Sequence, residues 1–210
     1  MQKLIQEVHS IPNEIKQVID QRMKEFSSFS HKSSEDWFSE LCFCLLTANS
    51  RAKTAMAIQK ELGFNGFYSL QQEKLVDCIK ANKHRFHNTK AARIVEARTH
   101  KNIKSTMQNI VKTEGQNKAR EWLVKNIKGL GFKESSHFLR NTGHEDLAII
   151  DRHILSILTQ HNLIQNPITV SPKNYLEIES ACSSLAKQLD MSLSKLDLCL
   201  WYLKTGTVLK

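Results

Sequence analysis

The sequence predicts an all-α fold. Apolar residues recur at helical spacing almost throughout, no segment alternates as a strand would, and 7 Gly and 3 Pro in 210 residues leave little room for linkers. A helix starting near Ser33 or Ser34 carries Trp37, Phe38, Leu41, Cys42, Leu45 and Leu46 on one face. Ser33 and Asp36 have capping-box spacing, with Asp in place of the usual Glu. Ala52, Ala55, Met56 and Leu62 belong to a second helix, stopped by Gly63. Ser69 with Gln72 predicts a cap before Leu75, Cys78 and Ile79, and Asn88 a cap before Ala91, Ile94 and Val95. Ala119, Trp122, Leu123 and Ile127 continue the pattern to Gly129, and a short helix follows from Phe132 to Asn141. Asp151 opens another helix with Ile154, Leu155 and Leu158. After a connection at Asn166-Pro167, Ser171 followed by Pro172 marks a strong start for a helix lined by Ile178, Cys182, Leu185 and Leu189. The last helix, about Ser192 to Lys204, turns Leu193, Leu196, Leu200 and Leu203 inward.

Composition narrows the function classes. The formal charge of +9 favours a polyanionic partner, held by an attraction that weakens with salt. No signal peptide or membrane-spanning apolar run is visible, so the expectation is a cytoplasmic protein with no membrane partner. Five cysteines, odd in number and irregularly spaced, read as reduced core thiols, with no cluster for an iron–sulfur centre. No metal or cofactor is expected.

Chemistry concentrates at two places. In Ile127-Lys128-Gly129-Leu130-Gly131-Phe132-Lys133, two glycines flank a leucine able to plug the core between helices. The helix start that follows directs N–H groups and a positive dipole end outward, a grip for a DNA phosphate that reads no base. Lys133 in the first turn is a solvated charge in the plainest reading, or a nucleophile if kept partly neutral. In Ile149-Ile150-Asp151-Arg152-His153, an apolar run meets a helix; Asp151 is then an N-cap, a role that also fixes the direction of its carboxylate. An amine and a carboxylate beside a phosphate-gripping turn are the parts for cleaving a glycosidic bond in DNA through a Schiff base.

The stretch from Asn126 to Asn141, followed by Ile150-Asp151-Arg152-His153, resembles the helix-hairpin-helix DNA glycosylase superfamily. Together with the ending Trp201-Tyr202-Leu203-Lys204-Thr205-Gly206-Thr207-Val208-Leu209-Lys210 it is similar, more narrowly, to the type 2 8-oxoguanine DNA glycosylase/AP lyases of archaea and some bacteria. The likeness spans essentially the whole chain. It implies a two-lobed fold with the active cleft between the lobes: residues 1–40 with 145–210 in one, and 41–144 in the other, with the helix-hairpin-helix at about 117–141. Lys133 aligns with the family's Schiff-base lysine and Asp151 with its essential aspartate. Lys210 aligns with the terminal residue that distinguishes 8-oxoguanine from guanine; Trp201 and Phe86 match aromatics that sandwich the extruded base. Asn49 falls where a polar residue fills the gap left in the duplex, Gly129 and Gly131 anchor phosphate, and His153 orients Asp151 or binds phosphate. The implied protein is a monomer acting on damaged double-stranded DNA at the nucleoid of a prokaryotic cell. It removes 8-oxoguanine and nicks the abasic strand by β-elimination. The alternatives are a glycosylase of the same superfamily for another damaged base, a non-catalytic helix-hairpin-helix DNA-binding protein and, more remotely, a helical adaptor. Trp37 and Trp122 read as core, His84 and His87 as members of a DNA-facing loop, and Arg98, Lys101 and Lys104 as a solvated face.

Overall fold

The computed structural model describes residues 1–165 and 170–210, and among them every regular element is helical. The chain divides into two compact units, Met1–Ser30 with Leu139–Lys210, and His31–Phe138. These bounds lie at other residues than those expected from sequence, for reasons of packing. The whole of helix Ser34–Thr47 packs within the second unit, while the segment after Leu139 is held in the first by Arg140 and by the hydrogen bond from Ser194 N to the Glu145 carbonyl.

The second unit is organised around α3 (Ser34–Thr47), following α1 (Gln2–His9) and α2 (Asn13–Phe29) of the first unit. Both halves of the Ser33–Asp36 capping box form. From Trp37 to Thr47 every residue but Ser39 is buried, so α3 is a central helix wrapped on all sides rather than an amphipathic one. Trp37 meets Phe138 edge to face at 5.9 Å, and Phe38 does the same with Phe64 and Tyr68 at 6.0 Å each. Around α3 pack α4 (Ala52–Ser69), α6 (His87–Ala97) and α7 (Ile103–Glu114), with α5 (Gln72–Ala81) against α6 and α8 (Gln116–Asn126) against α7.

Gly63 does interrupt α4, at φ +54 and ψ −167, but the chain resumes helix as far as Ser69. Ser69 therefore ends one helix instead of capping the next, and α5 begins at Gln72 without a side-chain cap. Likewise α6 starts at His87, one residue before the expected cap Asn88. Trp122 is half-buried, its ring edge-on to His100 at 5.7 Å, and so is not a core residue. The expected solvated face is partly engaged: Arg98 donates to the Phe67 and Leu70 carbonyls at the end of α4, and Lys104 to the Lys32 carbonyl.

The boundary between units runs through α9 (Phe132–Asn141). In the first unit, α12 (Leu193–Thr205) packs against α1, α2, α10 (Arg152–Gln160) and α11 (Pro172–Gln188). Ser171 and Ser192 cap α11 and α12 as their positions predict. The connection expected at Asn166-Pro167 lies outside the described residues. Arg140, 3% exposed, forms an ion pair with buried Asp197 at 2.5 Å and lies over the Phe26 ring. Gly143 (φ +96) passes close to the backbone of Phe26 and Ser27, where a Cβ would meet the Phe26 carbonyl at 3.1 Å.

Candidate active site

The hairpin joins α8 to α9. The Leu130 amide closes it onto the Ile127 carbonyl at 3.1 Å, and both apolar side chains are buried. Gly129 turns at φ +102, a conformation open to glycine, and a Cβ there would crowd Arg93 and Leu45 at 3.2–3.3 Å. Gly131 has no such φ; its Cβ would instead press on Glu134 Oε2 at 3.3 Å. Only the first glycine is therefore demanded by backbone geometry.

Glu134, to which sequence reasoning gave no role, ties this corner together. Its Oε2 accepts the Gly131 N–H at 3.3 Å and its Oε1 pairs with Lys133 Nζ at 2.8 Å. The available signal was position: Glu134 stands three residues after Gly131, where the acid of a capping box belongs. Both side chains are partly buried, Lys133 at 26% exposure and Glu134 at 13%. The hairpin amide and the lysine thus share one internal carboxylate. Behind them lies Lys90, buried on α6, donating to the Leu45 carbonyl at 2.6 Å. Burial pushes its amine down to about 8; Glu134 opposes that shift, and Lys133 and Arg93 add to it.

Also in the second unit, Asn49 is exposed at φ +58 just after the end of α3. Arg85 donates to the Asn49 carbonyl at 3.2 Å and lies 5.2 Å from the ring of Phe86, which is 42% exposed. His84 is not on an open loop as expected: it is 2% exposed, bonded to the Leu46 carbonyl.

The first unit carries Asp151. The buried run Leu147–Ile150 is held by two α11 side chains. Glu179 accepts the Ala148 N–H at 2.8 Å, and the Tyr175 hydroxyl donates to the Ala148 carbonyl at 2.7 Å while accepting the Ile150 N–H at 3.2 Å. Tyr175 and Glu179 were not singled out from sequence; their four-residue spacing on a buried helix face was the only trace. At the end of this run Asp151 caps α10. Its Oδ1 accepts both the His153 and Ile154 amides, at 2.8 and 2.9 Å, and its Oδ2 takes no hydrogen bond from the described residues. One oxygen is thus anchored by the helix that the residue caps. The His153 ring stands edge-on to Trp201 at 4.8 Å, so its side chain packs on the tryptophan, and only its backbone amide serves Asp151. Trp201 is half-exposed, with its Nε1–H buried and without an acceptor among the described residues. Lys210 is partly buried rather than frayed into solvent. Burial also pushes the nearby Asp197 carboxyl up to about 7, against the pull of Arg140 and with the Asp151 charge adding to the rise.

The structure thus groups Gly129, Gly131 and Lys133 about Glu134, sets Asn49 beside Arg85 and Phe86, and joins Asp151, His153 and Trp201. Lys133 belongs to one unit and Asp151 to the other. Among the described residues no group of three or more His, Cys, Asp or Glu side chains is arranged to hold a metal ion, and no helix is long and apolar enough to cross a membrane.

A helical fold with a glycine hairpin, a lysine on the following helix and a helix-capping aspartate defines a helix-hairpin-helix glycosylase. Residues 19–191 match the family described as 8-oxoguanine DNA glycosylase, and the chain belongs to that family. It is 50% identical to the 8-oxoguanine DNA glycosylase/AP lyase of Methanocaldococcus jannaschii, over 99% of each chain. The crystal structure of a Methanocaldococcus jannaschii 8-oxoguanine glycosylase/lyase in complex with a 15mer DNA containing 8-oxoguanine is similar at a TM-score of 0.94 and 49% identity, covering 99% of this chain and 100% of that one. That of the Thermotoga maritima 8-oxoguanine DNA glycosylase is similar at 0.91 and 41%, covering 100% and 99%.

Proposed function

We propose that this protein removes 8-oxoguanine from duplex DNA and then nicks the abasic strand. The full-length likeness to relatives named as glycosylase/AP lyases supports the reading most. The hairpin and surrounding cations hold backbone phosphates, and the lesion nucleotide leaves the stack because its reacting carbon is inaccessible within it. Trp201 and Phe86 offset part of that cost by stacking, at roughly 1–3 kcal/mol per base. Lys133 passes one proton to the Glu134 carboxylate it pairs with, and the amine so freed attacks C1′. The bond to the base breaks and the base leaves with a proton. Asp151, aimed by its two amide bonds, stabilises the positive charge that develops on the sugar. The sugar opens to an imine on Lys133; loss of a 2′ proton then expels the 3′ phosphate, and water releases the enzyme. The C-terminal carboxylate of Lys210 accepts the N7–H that 8-oxoguanine has and guanine lacks. Asn49 fills the gap in the duplex, and the protein acts as a monomer at the nucleoid.

Borohydride trapping tests the core of this reading. A covalent adduct with 8-oxoguanine duplex should form and should vanish in Lys133→Ala; an undiminished adduct in that variant removes Lys133 as the nucleophile. Running oxidised pyrimidine and mismatched adenine beside it separates this activity from excision of other bases. Sedimentation of the free protein checks the monomer.

A further inference from the structure

The exposed Asn49 and Phe86 are far apart in sequence, yet one buried ring ties the end of the helix before Asn49 to Phe86. Helix α3 ends inside the core, where its last carbonyls have no helical donor and would be costly to leave bare. Lys90 satisfies the Leu45 carbonyl at 2.6 Å and His84 Nε2 the Leu46 carbonyl at 2.9 Å; beyond the helix end, Arg85 donates to the carbonyl of exposed Asn49 at 3.2 Å. The other nitrogen of His84, Nδ1, accepts the Phe86 N–H at 3.2 Å. Accepting at Nδ1 and donating at Nε2 requires the neutral ring with its proton on Nε2. Burial lowers the proton affinity of His84 from its ordinary 6.5. The charged groups facing it, Lys90 of α6, His87 and Arg85, act in the same direction, while α3 presents the Leu46 carbonyl. The two tips held this way are an asparagine at φ +58 and a 42%-exposed phenylalanine under an arginine, beside exposed Lys83. An exposed aromatic among cations is a surface on which bases stack.

We infer that His84 is a positioning residue that binds the Asn49 turn to the Phe86 turn, so that the residue filling the gap in the duplex and the ring stacking on the extruded base are held as one rigid piece. This rests on the proposed action on duplex DNA. The bridge needs the neutral ring, because a second proton on Nδ1 turns the acceptor for Phe86 into a donor.

Two substrates separate this role from folding: an 8-oxoguanine duplex, whose base must be unstacked, and a duplex with a preformed abasic site, which has no base to unstack. With His84→Leu, single-turnover excision should fall by about tenfold or more, the worth of a buried hydrogen bond or two. Nicking of the abasic duplex should stay within about twofold of wild type. His84→Gln, which keeps the donor toward Leu46, and His84→Asn, which keeps the acceptor for Phe86, each retain one bond and guard against a variant that does not fold. Equal loss on both substrates, or no loss on either, overturns the inference. Failure of the wild type to act on either duplex would instead count against the proposed function itself.

Discussion

Lys90 offers a quantitative check on the corner behind Lys133. Its side chain is buried and its ammonium donates to the Leu45 carbonyl; burial moves the amine from 10.5 to about 8. The native state therefore binds this proton more weakly than the unfolded chain does. Stability contributed by Lys90 rises with pH through the window from about 8 to 10.5 and is lowest below it. The difference corresponds to about 3 kcal/mol against the folded state at pH 7, of which about 1 kcal/mol is recovered by pH 9. Replacing Lys90 with Met removes the buried charge but strands the Leu45 carbonyl, at a cost of about 1–3 kcal/mol. The variant should accordingly be as stable as wild type at pH 7, or more so, and lose ground as pH rises. Urea unfolding of both proteins at pH 7 and 9 measures this, because the remaining lysines cancel in the comparison. The stability gap should move by about 1 kcal/mol in favour of wild type, or about 2–4 °C in Tm for a chain of this size. A gap independent of pH would refute the reasoning and mean that the amine reaches water.

Arg140→Met leaves Asp197 buried without its partner and should cost about 3–5 kcal/mol near pH 8 by urea unfolding. Because folded Asp197 holds its proton more tightly than an unfolded carboxyl, ionising it costs stability as pH rises through the window from 3.8 to about 7; the loss should therefore shrink at pH 5. Gly129→Ala forces a side chain into φ +102 against Arg93 and Leu45 and should cost about 1–3 kcal/mol. If the hairpin holds a phosphate, the same variant should weaken lesion and normal duplexes alike and reduce the log–log salt slope by about 1. Adding one residue after Lys210 moves the terminal carboxylate; selection for 8-oxoguanine over guanine, measured by competition, should fall by roughly 10–100-fold.

Much of the fold was legible because local signals agreed with one another. The Ser33–Asp36 box, Ser171-Pro172 and Ser192 each mark a helix start that the structure contains. Where they misled, tertiary packing had overridden them: Gly63 kinks α4 without ending it, so Ser69 is consumed by the preceding helix. Helix α2 offered little to read, since only Ile19 and Phe26 of its 17 residues are buried. The hairpin and Asp151 were visible as short contiguous motifs. Glu134, Tyr175, Glu179 and the His84 bridge were not, because their partners are distant in sequence or because the residue type has many commoner uses. A buried histidine wired through both nitrogens looks, in a sequence, like any histidine in a basic loop.

The two backbone amides on one oxygen of Asp151 fix the direction of its carboxylate from within its own helix. Exchanging it for asparagine would preserve direction while deleting charge, a separation of the two contributions. If Asp151 steadies the sugar as proposed, a change in the ten C-terminal residues toward a different lesion would leave that group's aim untouched.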